Sequence, residues 1–366
     1  MKSYKFSELI EEITAYNTEL KYGLNDIVGV TIEKALIPTI ANLTQTSLEK
    51  FYIVKPNTFV YNPRTHGVRL GMGYNQTERT YITTWNNFAF KVKDTMLDVL
   101  NPDYLWMYFN RSEWDRETNF KAWGSSTIVF SWNIFMNMSI KLPEKSIQDT
   151  LVKQYTIIKN RIELKKKIND NLAEYLNCIY VELAQEAQET TALSSICRYV
   201  TEKAVFSDIE SSVYISTENI LPDKQGVASF GTTSPSERVV YFREEDVLVS
   251  NIRPYFKKMW FATTEGGCNA DVLCFRALDK RFSYLLKSIM FQDGFFDYVM
   301  SGAKGTKMPR GDKNHIMQYQ IPCFSDEQLR KFNTLASSIE QNQALNRQEM
   351  SFLEASKGLL LTTLSH

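Results

Sequence analysis

The side chains best suited to chemistry in this sequence are cations gathered in two short segments of its second half. One segment follows an apolar run that reads as a strand, and the other is the glycine-rich stretch 302–311. Clustered cations suit contacts to the phosphates and grooves of a nucleic acid, and arginine also binds guanine through two hydrogen bonds. The alternative is ordinary solvated surface charge. The basic residues are Arg253, Lys257, Lys258, Lys304, Lys307, Arg310 and Lys313.

The glycines of the second segment favour the same interpretation. Gly302, Gly305 and Gly311 would let the main chain approach a phosphate closely, because glycine has no Cβ atom. A plain flexible loop is the alternative reading of the same residues.

The first half carries a weaker counterpart of these clusters. Asn62 precedes its basic segment as Asn251 precedes Arg253. Each asparagine either shapes a turn, which is a common role of this residue type, or contacts DNA. We predict that the basic segment of the first half faces DNA; it consists of Arg64, His66 and Arg69.

Motifs for catalysis are missing. Asn62-Pro63-Arg64 has the start of the Asn-Pro-Pro-aromatic motif of amino-methyltransferases, but the second proline and the aromatic residue are absent. No glycine-rich cofactor loop follows a strand, and no P-loop pattern occurs. The five cysteines form no Cys-x-x-Cys pair, and with three histidines they give no zinc spacing. We therefore expect a non-enzyme that holds no cofactor and no metal itself.

The overall charge gives no sign of a nucleic-acid partner. The 366 residues have a formal net charge of zero, so any such binding must come from local patches. The cysteine pattern suits reduced thiols, and the sequence begins without a signal-peptide stretch. No run approaches the ~18 apolar residues of a membrane span. We expect a cytoplasmic protein of two domains.

The elements that must position these clusters occur twice along the chain. Each half has extended segments broken by prolines, a strand ending in Asn-x-Arg, and an apolar segment closed by a proline. A polar helix of roughly 40 residues follows each time. Runs of β-branched and aromatic residues between turn residues predict strands. The sequence thus predicts two α+β domains in a tandem pseudo-repeat, at 1–144 and 189–323, with helices at 145–188 and 324–366.

Both predicted long helices have an apolar stripe with a polar interruption near the middle. Lys165 and Asn169 interrupt the first stripe, and Gln343 and Asn346 interrupt the second. Polar residues at such positions cost stability but fix the register of a helix pair. We expect the two helices to pair with each other, and to be antiparallel if a pseudo-two-fold axis relates the halves.

Local patterns predict the shorter elements. Phe6, Leu9, Ile10 and Ile13 have helical spacing, which indicates an amphipathic helix over 1–22. Further helices are predicted over 102–123 and 280–300, and an extended segment over 127–142. Ser325 followed by Gln328 predicts a capping box at the start of the last helix.

The chain resembles the specificity subunits of type I restriction–modification systems over nearly its whole length. Each half shares with them a proline-led segment, a glutamine and a long helix, at Pro143 with Gln148 and at Pro322 with Gln328. The first half departs from the pattern, with Asn62-Pro-Arg64-Thr and Gly124-Ser-Ser-Thr at the equivalent places. The most typical motifs are Asp246-Val-Leu-Val-Ser-Asn251-Ile-Arg253-Pro-Tyr-Phe256-Lys-Lys-Met-Trp260, Gly267-Cys-Asn-Ala-Asp271 and Gly305-Thr306-Lys307-Met-Pro-Arg310.

The resemblance implies two target-recognition domains, each followed by a helical spacer, with the spacers packed as an antiparallel coiled coil. Each domain would read one half of a split duplex DNA sequence, and the spacers would set the number of unread base pairs. The subunit would be non-catalytic. It would dock two adenine-methyltransferase subunits and, in the full complex, two restriction/translocase subunits. S-adenosylmethionine, ATP and Mg²⁺ would bind only to those partners.

With the resemblance added, we expect DNA contacts among the clustered residues. Two other classes of function stay open: a fragment of an enzyme that joins a reader to a methyltransferase or nuclease, and a coiled-coil adaptor that binds proteins only. The predicted DNA-contacting residues are Arg64, Arg69, Asn251, Arg253, Lys257, Lys258, Lys304, Thr306, Lys307 and Arg310.

Overall fold

A computed structural model describes residues 1–39, 43, 46–65, 69–122, 128–211, 213–232 and 236–364. The chain divides into two compact units. Unit 1 comprises Met1–Leu164 and Glu349–His366, and unit 2 comprises Lys165–Gln348. Each of the two long helices therefore contributes one segment to each unit.

The described residues form short strands and helices together with two long helices. The helices are α1 (Phe6–Leu9), α2 (Pro102–Phe109), α3 (Ser112–Lys121), α4 (Trp132–Asn137), α5 (Lys145–Glu186), α6 (Ser283–Met290), α7 (Asp293–Ser301), α8 (Lys313–Ile316) and α9 (Asp326–Thr363). The strands of unit 1 are β1 (Lys2–Lys5), β2 (Ile10–Glu12), β3 (Val28–Val30), β4 (Leu36–Pro38), β5 (Tyr52–Val54), β6 (Phe59–Tyr61), β7 (Arg64–Thr65), β8 (Met72–Tyr74), β9 (Tyr81–Thr83), β10 (Phe88–Val92), β11 (Ile128–Val129) and β12 (Ser139–Leu142). The strands of unit 2 are β13 (Thr190–Ala192), β14 (Cys197–Tyr199), β15 (Lys203–Val205), β16 (Tyr214–Ile215), β17 (Arg238–Phe242), β18 (Val247–Ser250), β19 (Met259–Phe261), β20 (Gly266–Cys268), β21 (Val272–Ala277) and β22 (Gln320–Pro322).

Unit 1 is built on an aromatic core beside a four-stranded sheet of order β2-β10-β6-β8. Phe59 and Phe90 lie opposite each other on β6 and β10, with ring centroids 5.1 Å apart. The sheet is covered by α2, α3 and α4, which contribute further buried aromatic rings. Aromatic pairs of this kind add specific edge and face contacts to the burial of apolar area.

Unit 2 contains two four-stranded sheets, of order β14-β21-β18-β19 and β15-β17-β20-β16. All four residues of β18 are buried, because this strand lies between β19 and β21. Helices α6 and α7 pack in the same apolar cluster as the inner face of the first sheet. The strand β18 leads directly into Asn251, Arg253, Lys257 and Lys258, which are predicted to contact DNA.

The predicted helix over 1–22 is wrong. Lys2–Lys5 pairs with Ser139–Leu142 as antiparallel strands, and Ile10–Glu12 pairs with β10. The four residues of α1 between them carry the buried Phe6 and Leu9. The helical spacing of the apolar residues is overridden by strand pairing to distant segments.

Three other predicted elements are interrupted. The helix predicted over 102–123 breaks between α2 and α3, and the helix predicted over 280–300 breaks between α6 and α7. At both breaks an amide side chain bonds the carbonyl four residues earlier: Asn110 Nδ2 donates to Trp106 O (2.7 Å), and Gln292 Nε2 donates to Ser288 O (2.9 Å). Such bonds compete with continuation of the helix. The extended segment predicted over 127–142 contains α4 between β11 and β12.

The two long helices lie where they were predicted and pack closely against each other. In unit 2, Lys165 Nζ donates to Asn346 Oδ1 (2.8 Å), and Gln343 Nε2 donates to Asn169 O (2.8 Å). Residue numbers fall on α9 as they rise on α5, so the pair is antiparallel. The predicted capping box is confirmed, since Gln328 N donates to Ser325 Oγ and Ser325 N donates to Gln328 Oε1.

Across the described ranges, no helix has both the length and the apolar character needed to cross a lipid bilayer. The boundaries of the two predicted recognition domains stay a prediction.

Candidate nucleic-acid interface

The interface in unit 2 begins where the buried strand β18 ends. Asn251 N donates to Asp271 O (2.8 Å), which ties the end of β18 to the start of β21. A short turn, Pro254–Phe256, follows between Arg253 and Lys257, whose φ angles are 51° and 50°. Left-handed backbone is costly for residues with a Cβ atom and persists only where surrounding structure enforces it.

The glycine-rich segment docks against this turn. Arg253 N donates to Pro309 O (2.8 Å), and Ile252 pairs with Arg310 as an isolated bridge. Lys304 and Arg310 exchange two main-chain hydrogen bonds, both 2.9 Å long, which close the loop 304–310. The structure therefore joins the two basic segments that lie about fifty residues apart in the sequence. We call residues 251–258 and 304–310 the unit 2 interface.

Local geometry accounts for the glycines of this region. Gly305 has a φ of +97°, which side-chain-bearing residues rarely adopt. A Cβ atom at Gly302 would lie 2.2 Å from the His315 ring, and one at Gly311 would lie 2.9 Å from Val299 Cγ1. Two of the three glycines are thus required by packing inside unit 2.

Carboxylates hold several of the predicted cations. Arg310 Nη2 lies 3.1 Å from Asp271 Oδ1, Lys304 Nζ lies 2.5 Å from Asp312 Oδ2, and Lys257 Nζ lies 3.0 Å from Asp293 Oδ1. Arg310 and Lys304 are exposed despite these pairs, and such exposed pairs contribute little to stability. Arg310 and Lys304 could therefore replace their carboxylate partner with a phosphate at little cost in stability.

The pKa values of Asp312 and Asp293 follow from their hydrogen-bond partners. Lys304 and the main-chain N–H groups of His315 and Asn314 lower the pKa of Asp312 to about 2. Hydrogen bonds from Lys224 and Lys257 lower the pKa of Asp293 below its ordinary value, and the bond to Asp293 raises the pKa of Lys257. Asp312 and Asp293 are therefore ionised at neutral pH, and their pairs with lysine are salt bridges.

The remaining predicted residues of unit 2 differ in their surroundings. Lys258 Nζ donates to Thr217 O (2.8 Å) and is half-buried, which is a structural role. Thr306 and Lys307 are exposed, and their side chains have no hydrogen bond or ion pair with the part of the chain that is described. Within the same part, the buried Nε of Arg253 and the buried Oδ1 of Asn251 lack a hydrogen-bond partner.

The counterpart in unit 1 is less complete. Asn62 Oδ1 accepts a hydrogen bond from Arg64 N (2.9 Å), so Asn62 shapes a turn. Arg64 is exposed on β7, opposite Val129 of β11. Arg69 Nε lies 3.8 Å from Asp115 Oδ2, at the long limit of an ion pair. The positions of His66 and of the Gly124-Ser-Ser-Thr segment lie outside the described residues.

Three exposed apolar side chains of the unit 2 interface are not among the predicted DNA-contacting residues. Tyr255, Phe256 and Met308 are 48%, 40% and 46% exposed. A signal was present, because Pro-Tyr-Phe stands between Arg253 and Lys257 without the alternation of a half-buried strand.

The site is suited to binding. In the described ranges, no three His, Cys, Asp or Glu side chains converge to hold a metal ion. The interface instead presents main-chain turns, exposed cations and exposed aromatic rings, which are the groups that contact phosphates and bases.

Comparisons with known proteins were informative at the level of structure. No protein-family model matches the chain, and no curated protein is similar to it in sequence. The crystal structure of the type I restriction–modification system S subunit from M. genitalium is similar with a TM-score of 0.57 and 12% identity, covering 99% of this chain and 95% of that chain. This chain has the fold of a type I S subunit.

Two further solved structures are similar to this chain with TM-scores below 0.5. One comes from work on complex assembly and conformational transition of the type I R-M system (13% identity, TM-score 0.47, covering 99% of this chain and 97% of that chain). The other is the HsdS subunit from Thermoanaerobacter tengcongensis (15% identity, TM-score 0.37, 99% and 96% covered). The similarity to the M. genitalium S subunit confirms the predicted S-subunit resemblance as a shared fold.

Proposed function

We propose that this chain is the DNA-sequence specificity subunit of a type I restriction–modification complex. The observation that carries the proposal is the S-subunit fold, which extends over 99% of the chain. The unit 2 interface supports it, because its exposed Lys304, Lys307 and Arg310 lie in a loop held by main-chain bonds to the end of a buried strand. Cations on a rigid loop can contact DNA with little loss of conformational freedom on binding.

The target in this proposal is a bipartite duplex sequence. The unit 2 interface reads one half, and the segment with Arg64 and Arg69 reads the other half. The recognition domains correspond to residues 1–144 and 189–323, and the spacer helices set the number of unread base pairs. The two halves read different bases because their basic loops differ in sequence.

The second part of the proposal is that the helices hold the catalytic subunits. In unit 1, Ile157 and Leu164 on α5 are seven residues apart, as are Phe352 and Leu359 on α9. All four side chains are more than half exposed. Residues seven apart lie on one face of a helix, so each helix offers an apolar strip suited to a helix of a methyltransferase subunit.

The chain itself is proposed to be non-catalytic and cytoplasmic. Two methyltransferase subunits and, in the full complex, restriction/translocase subunits would supply the chemistry. S-adenosylmethionine, ATP and Mg²⁺ would bind to those subunits.

Methylome sequencing of cells that carry this gene with its methyltransferase gene tests the proposal. We expect adenine methylation at a split motif, and footprinting should show both halves protected. Deleting this gene alone should abolish that methylation. A continuous motif, or methylation that persists after the deletion, would contradict the proposal.

Two simpler assays separate the alternative functions. Binding of S-adenosylmethionine by the isolated chain would favour a reader–enzyme fragment. Assembly with partner proteins but no DNA affinity, at any salt concentration, would favour a coiled-coil adaptor.

A further inference from the structure

Tyr255 and Phe256 place two neighbouring aromatic rings in solvent within the unit 2 interface. Their ring centroids are 4.7 Å apart, with 53° between the ring planes. Pro254, the preceding residue, is buried and anchors the turn. Scattered exposed apolar residues are ordinary on protein surfaces, but these two are adjacent and stand between cations.

Main-chain hydrogen bonds hold the turn that carries the rings. Phe256 O accepts from Asp223 N (2.9 Å), and Lys257 O accepts from Lys224 N (2.9 Å). Within the turn, Phe256 N donates to Arg253 O (3.0 Å) and Lys257 N donates to Pro254 O (2.8 Å). The rings therefore project from a fixed backbone, and placing them against a ligand orders little more than their side-chain torsions.

Side-chain bonds fasten the same turn to helix α7. Lys257 Nζ lies 3.0 Å from Asp293 Oδ1, and Lys224 Nζ lies 2.7 Å from the same oxygen. Lys257 thus ties to α7 a turn that is flanked by two residues with left-handed backbone, Arg253 and Lys257 itself. Strain maintained in this way, at a turn whose exposed residues are aromatic, is typical of a binding site.

The charges around the rings indicate which kind of partner they meet. Arg253 N is bonded to Pro309 O, so the rings belong to the same bonded assembly as the exposed Lys307 and Arg310. The centres of protein–protein interfaces are enriched in aromatic residues, Met and Arg but depleted in Lys, and the unit 2 interface contains four lysines, Lys257, Lys258, Lys304 and Lys307. Aromatic or apolar side chains among phosphate-binding cations instead match proteins that insert a side chain between base pairs.

We propose that Tyr255 and Phe256 form an aromatic wedge that unstacks one base step of the duplex held by the unit 2 interface. Met308, 46% exposed on the docked loop, supplies a further apolar contact to the opened step. The wedge makes the deformability of that step part of what the protein recognises, since pyrimidine–purine steps unstack most easily. This inference rests on the proposed function.

The test uses the full chain and duplexes that carry the methylated motif, with 2-aminopurine placed in turn at each position of the half-site. Wild-type protein should raise the fluorescence at one step, because 2-aminopurine brightens when it is unstacked. Tyr255→Ser and Phe256→Ser should each abolish that rise and weaken binding by about tenfold, the scale of one lost base–aromatic contact.

Two kinds of variant control for folding and for general apolar loss. Tyr255→Leu and Phe256→Leu keep an apolar wedge, so they should retain most of the fluorescence rise. Leu278→Ala removes an equally exposed apolar side chain at the far end of β21, six residues beyond its start at Val272. It should change neither affinity nor fluorescence.

The outcomes separate this inference from the proposed function. Serine variants that bind like wild type, or a wild-type complex that unstacks no base, would overturn the wedge while leaving DNA recognition intact. Loss of assembly with a partner protein, with DNA binding unchanged, would make the rings a protein contact and would also overturn it. A wild-type chain that binds no specific duplex would overturn the proposed function itself.

Discussion

Asn169 of α5 and Gln343 of α9 each donate a side-chain hydrogen bond to the main-chain carbonyl of the other. Gln343 Nε2 lies 2.8 Å from Asn169 O, and Asn169 Nδ2 lies 3.4 Å from Gln343 O. Asn346 adds a bond from its Nδ2 to Asn169 Oδ1 (2.8 Å). These polar side chains can form their hydrogen bonds in only one register of α5 against α9. Sliding either helix by one turn would leave them buried without hydrogen-bond partners.

Asn346→Ala tests this polar cluster. The change removes the bond to Asn169 and the bond from Lys165 Nζ to Asn346 Oδ1. We expect a loss of about 1–3 kcal/mol in the free energy of unfolding, measured as a shift in the urea midpoint. Asn342→Ala is the matched control, since Asn342 is exposed and, within the described residues, its side chain bonds only Ser338 O of its own helix. It should cost under about 0.5 kcal/mol, and equal shifts would contradict the prediction.

Gln148→Ala should destabilise unit 1 more strongly. Gln148 is fully buried; its Oε1 accepts from Asn101 N (3.0 Å), and its Nε2 donates to Val99 O (2.8 Å) and Pro143 O (2.9 Å). Three main-chain groups would lose their partner, at a cost of about 3 kcal/mol or more. Gln154→Ala, exposed on the same helix, is the control in urea unfolding. A midpoint unchanged by Gln148→Ala would refute this role.

Gln148 and Gln328 show what the sequence could predict about the fold. Both glutamines follow a proline near the start of a long helix, so their local sequence contexts are similar. Gln328 completes a capping box with a residue three positions away, so its role was predictable from local sequence. Gln148 bonds Val99 and Asn101, which are almost fifty residues away, and no local pattern identifies such partners.

The same distinction holds for the interface. The cations can be identified from composition and spacing. Whether each one is available to bind DNA depends on partners from elsewhere in the chain. Asp293 of α7 holds Lys257, and Thr217 O holds Lys258, so neither lysine is as free as its sequence neighbourhood indicates. The docking of loop 304–310 on Arg253 depends on a tertiary bond that sequence periodicity does not encode.

Lys307 and Lys258 should therefore differ in their effect on DNA binding. Lys307→Ala should weaken binding and reduce the slope of log K against log[salt] by about 0.9, because one phosphate contact is lost. Lys258→Ala should leave the slope unchanged and lower thermal stability, since Lys258 Nζ bonds Thr217 O. Fluorescence anisotropy between low and moderate salt measures both slopes. Equal slopes for the two variants would assign Lys307 to ordinary surface charge.

Protonation of Asp312 should loosen the end of the docked loop. Its pKa is lowered to about 2 from an ordinary 3.8 by Lys304 and by the N–H groups of His315 and Asn314. A carboxyl whose pKa is lower in the folded state stabilises that state above its unfolded pKa, and this contribution is lost as the pH falls. The amide signals of Asn314 and His315 should therefore shift with a midpoint near pH 2, between about pH 3 and pH 1. Asp312→Asn keeps an acceptor for the two amides and should remove that titration; a titration midpoint near 4 in wild type would contradict the assigned bonds.

Shortening the paired helices tests the spacer role that the resemblance implies. Deleting residues 155–161 and 349–355 removes seven residues from each helix within unit 1, including both partners of the Arg161–Glu349 ion pair. Seven residues nearly preserve the phase of the apolar stripe, and they shorten each helix by about 10 Å, which corresponds to about three base pairs of DNA. Footprinting should show the same two half-sites with a spacer reduced by about three base pairs. If only one of the two segments is deleted, the remaining apolar contacts between the helices no longer match the register set by Lys165, Asn169, Gln343 and Asn346. The free energy of unfolding should then fall. A change in the bases of either half-site would show that these helices take part in reading the sequence.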